Sequence, residues 1–296
     1  MTTSLSLGPV LYNWSAEDWR DFYFRIADEA PLQRVYLGEV VCSKRTPFFT
    51  PYLPEVAERL VSGGKEVVYS TLALIMSEAE MDAVRALAEI PDILIEANDI
   101  GSAALLAGRP HVIGPFVNIY NEGTLDYLAR QGAGLVSLPW ELPAPAIAAL
   151  AKTAAVPLEV QIFGRTPLAI SARCYHARQC GLHKDGCQYV CAEDPDGMDV
   201  ETLDGESFLA VNGTQTLTHT IGALMPELEE MRGMGIDNFR LWPQAIDMAA
   251  VAQIFRDVLD GRTAAAEAWQ SLAAAADFAP FSNGFYHGEE GVSLKR

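Results

Sequence analysis

Short apolar runs alternate with helical patterns along nearly the whole chain, and that alternation limits the folds open to it. "SLGPVLYN" leads into "SAEDWRDFYFRIADEA", where Ser15 and Asp18 stand at capping-box spacing. Trp19, Phe22, Tyr23 and Ile26 then fall at i, i+3, i+4 and i+7, one apolar face of a helix. "RVYLGEVV" precedes a helix expected from near Pro51, and "EVVYSTLAL" precedes another, with Ser77 and Glu80 again spaced as a capping box. "DILIEAN", "HVIGPFVNIY" and "AGLVSLPW" each lead into further helical pattern, and "PLEVQIFGR" reads as a seventh strand. After a cysteine-bearing segment come a hairpin around Asp204-Gly205, a helix near Gly222–Arg232, the strand-like "NFRLWP" and a last helix from about Ile246 to Leu259.

About eight β/α units with apolar strands predict an α/β fold, a (β/α)8 TIM-like barrel, regular or irregular, with a cysteine-bearing insertion after strand seven. The competing open doubly wound sheet would want a glycine-rich dinucleotide fingerprint after its first strand, and none stands there. The expected division is a barrel over 1–262, carrying the insertion at about 171–215, and a helical and loop tail over 263–296 that packs on the barrel. "NGFYHGEEG" in that tail reads as a turn-rich closing loop.

In such a barrel the polar residues just after the strands share one face, where these folds place their sites. They are Asn13, Glu39, Cys42, Thr71, Glu96, Asn118, Glu141, Arg165 and Arg240. Cys42 follows strand two and the cysteine segment follows strand seven, so only strands eight and one separate them around the ring. Two cysteine sources far apart in sequence are therefore expected to meet above one barrel mouth.

Charge and cysteine usage set the surroundings. Lys plus Arg number 21 against 39 Asp plus Glu, a net charge of −18 that opposes binding to nucleic acid or to an anionic membrane surface. The start lacks the basic, then apolar, pattern of a secretory signal, and no apolar stretch reaches the roughly 20 residues of a membrane span. A cytoplasmic location is expected, and in that reducing compartment an odd count of five cysteines points away from a disulfide framework.

"RCYHARQCGLHKDGCQYVC", residues 173–191, holds four of the five cysteines in the spacing C-x5-C-x6-C-x3-C. Only Cys187 and Cys191 fit a paired zinc knuckle. The tight C-x2-C runs of ferredoxins are absent, as is the C-x3-C-x2-C of radical enzymes that use S-adenosylmethionine. Spacing alone leaves zinc, an iron–sulfur cluster and unpaired buried thiols all open. His176 and His183 are candidate zinc ligands, with solvated loop histidines as the plain alternative.

Several dispersed motifs say more. "SLGPVLYNW", "YLGEVVCSKR", "STLAL", "LIEANDIG", "SARCYHAR", "KDGCQYVC" and "VNGTQT" occur in that order. Together they resemble the V-type branch of the collagenase-like peptidase family U, which belongs to oxygen-independent ubiquinone biosynthesis. The likeness runs from about Leu5 to Pro243, with a weaker echo in "NGFYHG". It implies a 4Fe–4S cluster held by Cys42, Cys174, Cys187 and Cys191, and it leaves Cys180 over, because the V-type pattern has no cysteine there. Arg173, Lys44 and Arg45 are placed to offset the charge of a cluster and its thiolates.

The resemblance further implies an iron–sulfur subunit of a system that hydroxylates the aromatic ring of ubiquinone precursors without O2. That subunit works as a heterodimer with a U-type paralogue carrying its own cluster, and a sterol-carrier-like lipid-binding accessory protein presents the lipid intermediates. A prephenate-like molecule is the implied oxygen donor. Arg45, Arg165 and Arg173 are candidates for its carboxylates, because a guanidinium can hold a carboxylate bidentately; each is equally suited to a structural ion pair. With every iron ligated by cysteine, an electron-transfer or structural role is expected for this subunit. Two alternatives stand beside this reading. One is peptidase activity, for which the chain offers neither a G-x-S-x-G elbow nor an H-E-x-x-H helix. The other is a binding module whose loop is organised by zinc.

Overall fold

The computed structural model describes residues 3–295; the first two positions and the last, which bound the expected 1–262 and 263–296 segments, lie outside the described residues. The chain lays down seven parallel strands in succession: β1 (Ser4–Leu7), β2 (Arg34–Leu37), β3 (Glu66–Ser70), β4 (Leu94–Ala97), β5 (His111–Ile113), β6 (Ala133–Ser137) and β7 (Leu158–Ile170), each paired with the next except β7. Three strands then leave this order: β8 (Met198–Glu201), β9 (Ser207–Asn212) and β10 (Gln215–Ala223). With β11 (Asn238–Leu241) the ring closes, because that strand pairs in parallel with both β7 and β1. The result is a closed eight-stranded parallel barrel, the TIM-like architecture that the alternation predicts.

Helices fill the crossovers. In order they are α1 (Ala16–Glu29), α2 (Thr46–Phe49), α3 (Leu53–Ser62), α4 (Glu78–Glu89), α5 (Ile100–Leu105), α6 (Glu122–Arg130) and α7 (Ala144–Thr153). After β7 come α8 (Tyr175–Gln179), α9 (Leu228–Gly233), α10 (Met248–Leu259) and α11 (Ala265–Ala275). Local chemistry sets their starts. Ser77 and Glu80 form both halves of a capping box on α4. Ser15 accepts from the Asp18 N–H at 3.0 Å, but the Asp18 carboxylate turns back to the Ser15 hydroxyl at 2.7 Å, so α1 carries a half-box. The helix expected over 222–232 is confined to Leu228–Gly233, because "QTLTHTIGA" pairs as β10 and Pro226 disfavours helical backbone just before it. The Asp204-Gly205 hairpin joins β8 to β9.

β7 is 13 residues long and does two jobs. Its first part closes the barrel against β6 and β11, and its remainder pairs antiparallel with β10. This arm carries β8 to β10, and the tail returns to it as β12 (Phe281–Ser282) beside β10. Gly164, at φ +116°, sits where the two parts meet; a Cβ there would lie 2.7 Å from that of Trp242.

Side chains alternate across the barrel wall. Outward residues such as Leu5, Leu7, Val35, Leu37, Ile95 and Ala97 join the large core under the helices. Inward positions hold Tyr36, Val68, Val112 and Leu135 together with a fully buried ionic group. Arg240 lies 2.7 Å from Glu96 and 2.6 Å from Glu159, and its Nε donates to Glu159 at 2.7 Å. Ser6 and Ser137 also donate to Glu159, and Ser70 donates to Glu96 at 2.6 Å. The guanidinium stacks 3.8 Å from the Tyr36 ring centroid. Glu96 and Arg240 are thus inside the barrel wall, not at its mouth as the sequence reading places them; a charged residue within a strand has the same local signature as one at its end.

Burial pushes the Glu159 carboxyl up, and Arg240, Arg34 and the serine hydroxyls outweigh that and hold it below its ordinary 4.5. A depressed folded value means that this stabilisation is present above 4.5 and is lost as pH falls through the folded value. Replacing Arg240 by Met leaves two buried carboxylates uncompensated, and urea unfolding at neutral pH is expected to show a loss of about 3–5 kcal/mol. A loss below about 1 kcal/mol would deny the pairing this weight.

Candidate metal centre and barrel mouth

Cys42, Cys174, Cys187 and Cys191 all line one cavity, together with Arg45, Lys44 and Gly213. The cavity volume is small, about 20 Å³. Four thiols from chain stretches more than a hundred residues apart therefore face a single space, and all are free. Cys180 is exposed beyond the end of α8 and does not line it. Among the described residues no three His, Cys, Asp or Glu side chains are gathered closely enough to hold one metal ion. The thiols stand around the cavity, and a cluster takes each thiolate at a different iron.

Each cysteine is placed by a short, polar-anchored turn. After β2 the Glu39 carboxylate accepts from the N–H groups of Val41 at 2.8 Å and Cys42 at 2.9 Å, which folds the chain into the tight turn Ser43–Arg45. Cys174 caps α8, its sulfur accepting from the Ala177 N–H at 3.4 Å. Cys191 accepts from Asn13 Nδ2 at 3.4 Å. Between Cys187 and Cys191, Gln188 and Tyr189 both take left-handed backbone at φ +50° and +56°. Two consecutive non-glycine residues there store about 1–3 kcal/mol each, a strain that persists only where surrounding contacts fix it.

Arg45 binds the whole assembly. Only 3% exposed, it donates to Leu11 O at 2.9 Å and to Asn212 O and Oδ1 at 3.1 and 2.6 Å, joining the β1 and β2 loops to the end of β9. Its Nε has no partner within the chain. Asn212, fully buried, completes the joint by donating to Cys191 O at 2.9 Å and to Asp194 O at 2.8 Å. Burial pushes the Cys42 thiol above its ordinary 9.0, with Arg45 pulling it back. Burial likewise raises Cys174, the Ala177 N–H opposes it, and the neighbouring Cys191 and Cys187 add to the rise. A buried cation with a spare N–H and two further N–H donors on sulfur suit an anionic thiolate-bound centre, so the residues present fit one.

The other candidates sort by position. Arg165 is buried on β7 and spends its Nη1 on the carbonyls of Thr218, at 2.9 Å, and His219, away from the thiols. Arg173 is exposed and does not line the cavity. His176 is buried between Val211 O at 3.3 Å and Asp194 at 3.1 Å, which occupies both ring nitrogens, and His183 is exposed. Asn13 and Glu39 serve the thiol cavity, and Thr71 accepts from Asn98 N at 3.0 Å. Asn118 and Glu141 line a separate pocket of about 480 Å³ over the ends of β3, β5 and β6, with Phe116 and Trp140 in its wall. Asn212 and Gly213 enter the sequence reading only inside the motif "VNGTQT", with no role at the site, although Asn-Gly between two β-runs marks a hairpin. The aromatic wall carries no local signature, because its members come from separate loops.

The family model for peptidase family U32 matches residues 14–296. Among solved structures, a chain of the tryptophan synthase complex from Pyrococcus furiosus is 12% identical at a TM-score of 0.42, with 94% of this chain and 100% of that chain covered. The spore cortex-lytic enzyme SleL of Bacillus cereus is 9% identical at a TM-score of 0.42, covering 86% of this chain and 75% of that one. The fold assignment rests on the strand pairing above, not on these likenesses.

Exposure separates the thiols chemically. Iodoacetamide on the metal-free, reduced protein at pH 8 is expected to alkylate Cys180 in a fast phase of one thiol per chain, with Cys42 and Cys174 lagging. Cys180→Ser removes that phase; a fast phase that survives the substitution contradicts the placement.

Proposed function

This chain belongs to peptidase family U32, and we propose that within it the chain is a UbiV-like, V-type protein: the iron–sulfur subunit of an O2-independent hydroxylation system acting on ubiquinone precursors. One observation carries the reading. The four cysteines that the V-type resemblance selects face one cavity, and the fifth, Cys180, which it rejects, lies outside. A 4Fe–4S cluster held by Cys42, Cys174, Cys187 and Cys191 would supply one-electron redox chemistry. The chain's own contribution is electrostatic. Arg45 offsets negative charge from within the wall, and the N–H groups of Ala177 and Asn13 donate to sulfur, contacts of the kind that tune a cluster's potential.

In this reading the partners are a U-type paralogue, joined as a heterodimer, and a sterol-carrier-like lipid-binding protein that delivers the ubiquinone precursor. The oxygen donor is prephenate-like and the setting is the reducing cytoplasm. Among the described residues no helix is long and apolar enough to cross a membrane.

Membership of a peptidase family favours a second reading, peptidase activity. A thiol peptidase needs a cysteine with a depressed pKa, next to a base or a helix N-terminus in an electropositive setting. Burial drives Cys42 and Cys174 the other way, and both nitrogens of the buried His176 are taken. Cleavage of casein or collagen by the purified chain, lost in cysteine variants, would favour the peptidase reading over ours.

Anaerobic reconstitution is expected to give a brown protein with about four irons and four sulfides per chain. Cys42→Ala or Cys187→Ala loses most of that iron, and Cys180→Ala keeps it. A colourless protein with one zinc would sink the proposal, as would iron loss in Cys180→Ala with Cys42 dispensable. Co-expressed with a U-type protein, the chain is expected to elute from a sizing column as a heterodimer; elution alone contradicts the pairing.

A further inference from the structure

A further cavity, of about 510 Å³, lies beside the thiol loop where α1 and α10 begin, and the reading above leaves it unused. Its lining is largely apolar, with Phe22 and Ile26 from α1 and Ile246, Met248 and Ala249 from the start of α10. Trp14 stands half-buried in the wall, its Nε1 donating to Pro195 O at 2.7 Å. Its ring meets that of Phe22 edge to face, with centroids 5.0 Å apart. The indole is therefore held in place by the chain itself.

The charges around this apolar surface are unequal. Asp18 and Asp21 both line the cavity and both are exposed. Asp21 pairs with Arg20 at 2.6 Å, whereas Asp18 meets the Ser15 hydroxyl at 2.7 Å and no cation among the described residues. Arg25 also lines the cavity, but two carboxylates engage it, Glu29 at 2.8 Å and Asp247 at 3.1 Å. Four carboxylates thus stand against two guanidiniums. Asp18 and Phe22 are four residues apart on α1, so an accessible carboxylate and an aromatic ring share one stripe of the helix.

We propose that this cavity binds a small organic cation, an ammonium group on an apolar body. The body rests on the apolar lining, and the ammonium lies by Trp14, Phe22 and Asp18. Aromatic rings attract a cation to their faces, and a carboxylate beside them adds to the attraction without having to be dug out of the core. An anionic ligand meets the excess of carboxylates, and a neutral one gains only the apolar contact. The volume falls in the range of small-molecule sites and admits a whole molecule rather than the tip of one side chain. The cavity adjoins the thiols: Ala192 in its lining directly follows Cys191, and Trp14 follows Asn13, which donates to Cys191 Sγ at 3.4 Å. The assignment goes beyond the function proposed above and does not rest on it.

The test is calorimetric titration of the full chain at pH 7 with 3-phenylpropylammonium, 3-phenylpropanol and 3-phenylpropanoate. The ammonium is expected to bind about tenfold more tightly than the alcohol, and the carboxylate more weakly than either. Asp18→Asn lowers ammonium affinity about fivefold and leaves the alcohol unchanged. Glu267→Gln removes an equal charge from the exposed surface of α11 and leaves both unchanged, which separates local recognition from the pull of the net charge of −18. Trp14→Leu weakens the ammonium about fivefold. Nα-acetyl-lysine methylamide, the same cation on a side chain, is expected to bind at least about tenfold more weakly than phenylpropylammonium. Alcohol or carboxylate binding as tight as that of the ammonium overturns the proposal on the unaltered protein alone. So does a loss in Asp18→Asn no larger than in Glu267→Gln. Equal binding of the lysine amide also overturns it, by giving the cavity to the side chain of a partner protein.

Discussion

The guanidinium of Arg240 sits inside a closed ring of strands, and ring closure and charge balance there are one problem. Arg240 lies on β11, the strand that shuts the barrel between β7 and β1, and its counter-ions come from across the interior, Glu159 on β7 and Glu96 on β4. Ionised groups fully out of water are tolerable only when each has a partner. β11 can therefore enter the ring at essentially one register, the one that brings Arg240 between the two carboxylates. Apolar packing under the helices supplies the bulk of the stabilisation but is far less selective about register. The loops above the strands inherit their relative positions from this choice.

The thiol cavity shows what that inheritance achieves. Cys42 rides on the loop after β2, and the other three cysteines ride on the arm that extends β7 beyond the barrel. Neither element holds the other through apolar burial alone. Arg45, Asn212 and Gly213 form the joint: a buried guanidinium reaches from one loop to the carbonyl and amide of the other, and the glycine leaves room for it. A Cβ on Gly213 would fall on the guanidinium, and its φ of +70° suits glycine independently. The site is thus a polar suture between two loop regions far apart in the chain, which explains why so few of its contacts are local in sequence.

That distinction decides what the sequence reveals. Period and cap chemistry are local, so the strands, the Ser77–Glu80 box and the helix that Trp19 and Tyr23 bury can be read directly. Ring order follows from counting β/α units, and it correctly brings Cys42 near the residues after strand seven. Depth is not local. Glu96 and Arg240 carry the pattern of mouth residues until their partners across the barrel are known, and Arg165 looks available until the β10 carbonyls that absorb it are in place. The 222–232 stretch illustrates the same limit, since only pairing with β7 and β12 makes its first part a strand. Phe116, Trp140 and Trp242 are ordinary aromatic residues until three loops bring them together.

Trp242 follows β11 immediately and stands at the junction of these themes. Its ring packs between Phe116 and Trp140 on one side and belongs to the apolar group behind Cys42 on the other. Gly164 on β7 admits its backbone closely, so the strand that carries Arg240 into the barrel also fixes the wall between the two cavities. The side chains of this wall, Leu11, Val40, Val41 and Trp242, are apolar and buried, with the Arg240 guanidinium 5.5 Å from the Trp242 ring centroid, and burial keeps the local dielectric low. Charge placed at the thiols would be felt across the wall more strongly than across a wetted gap of the same width.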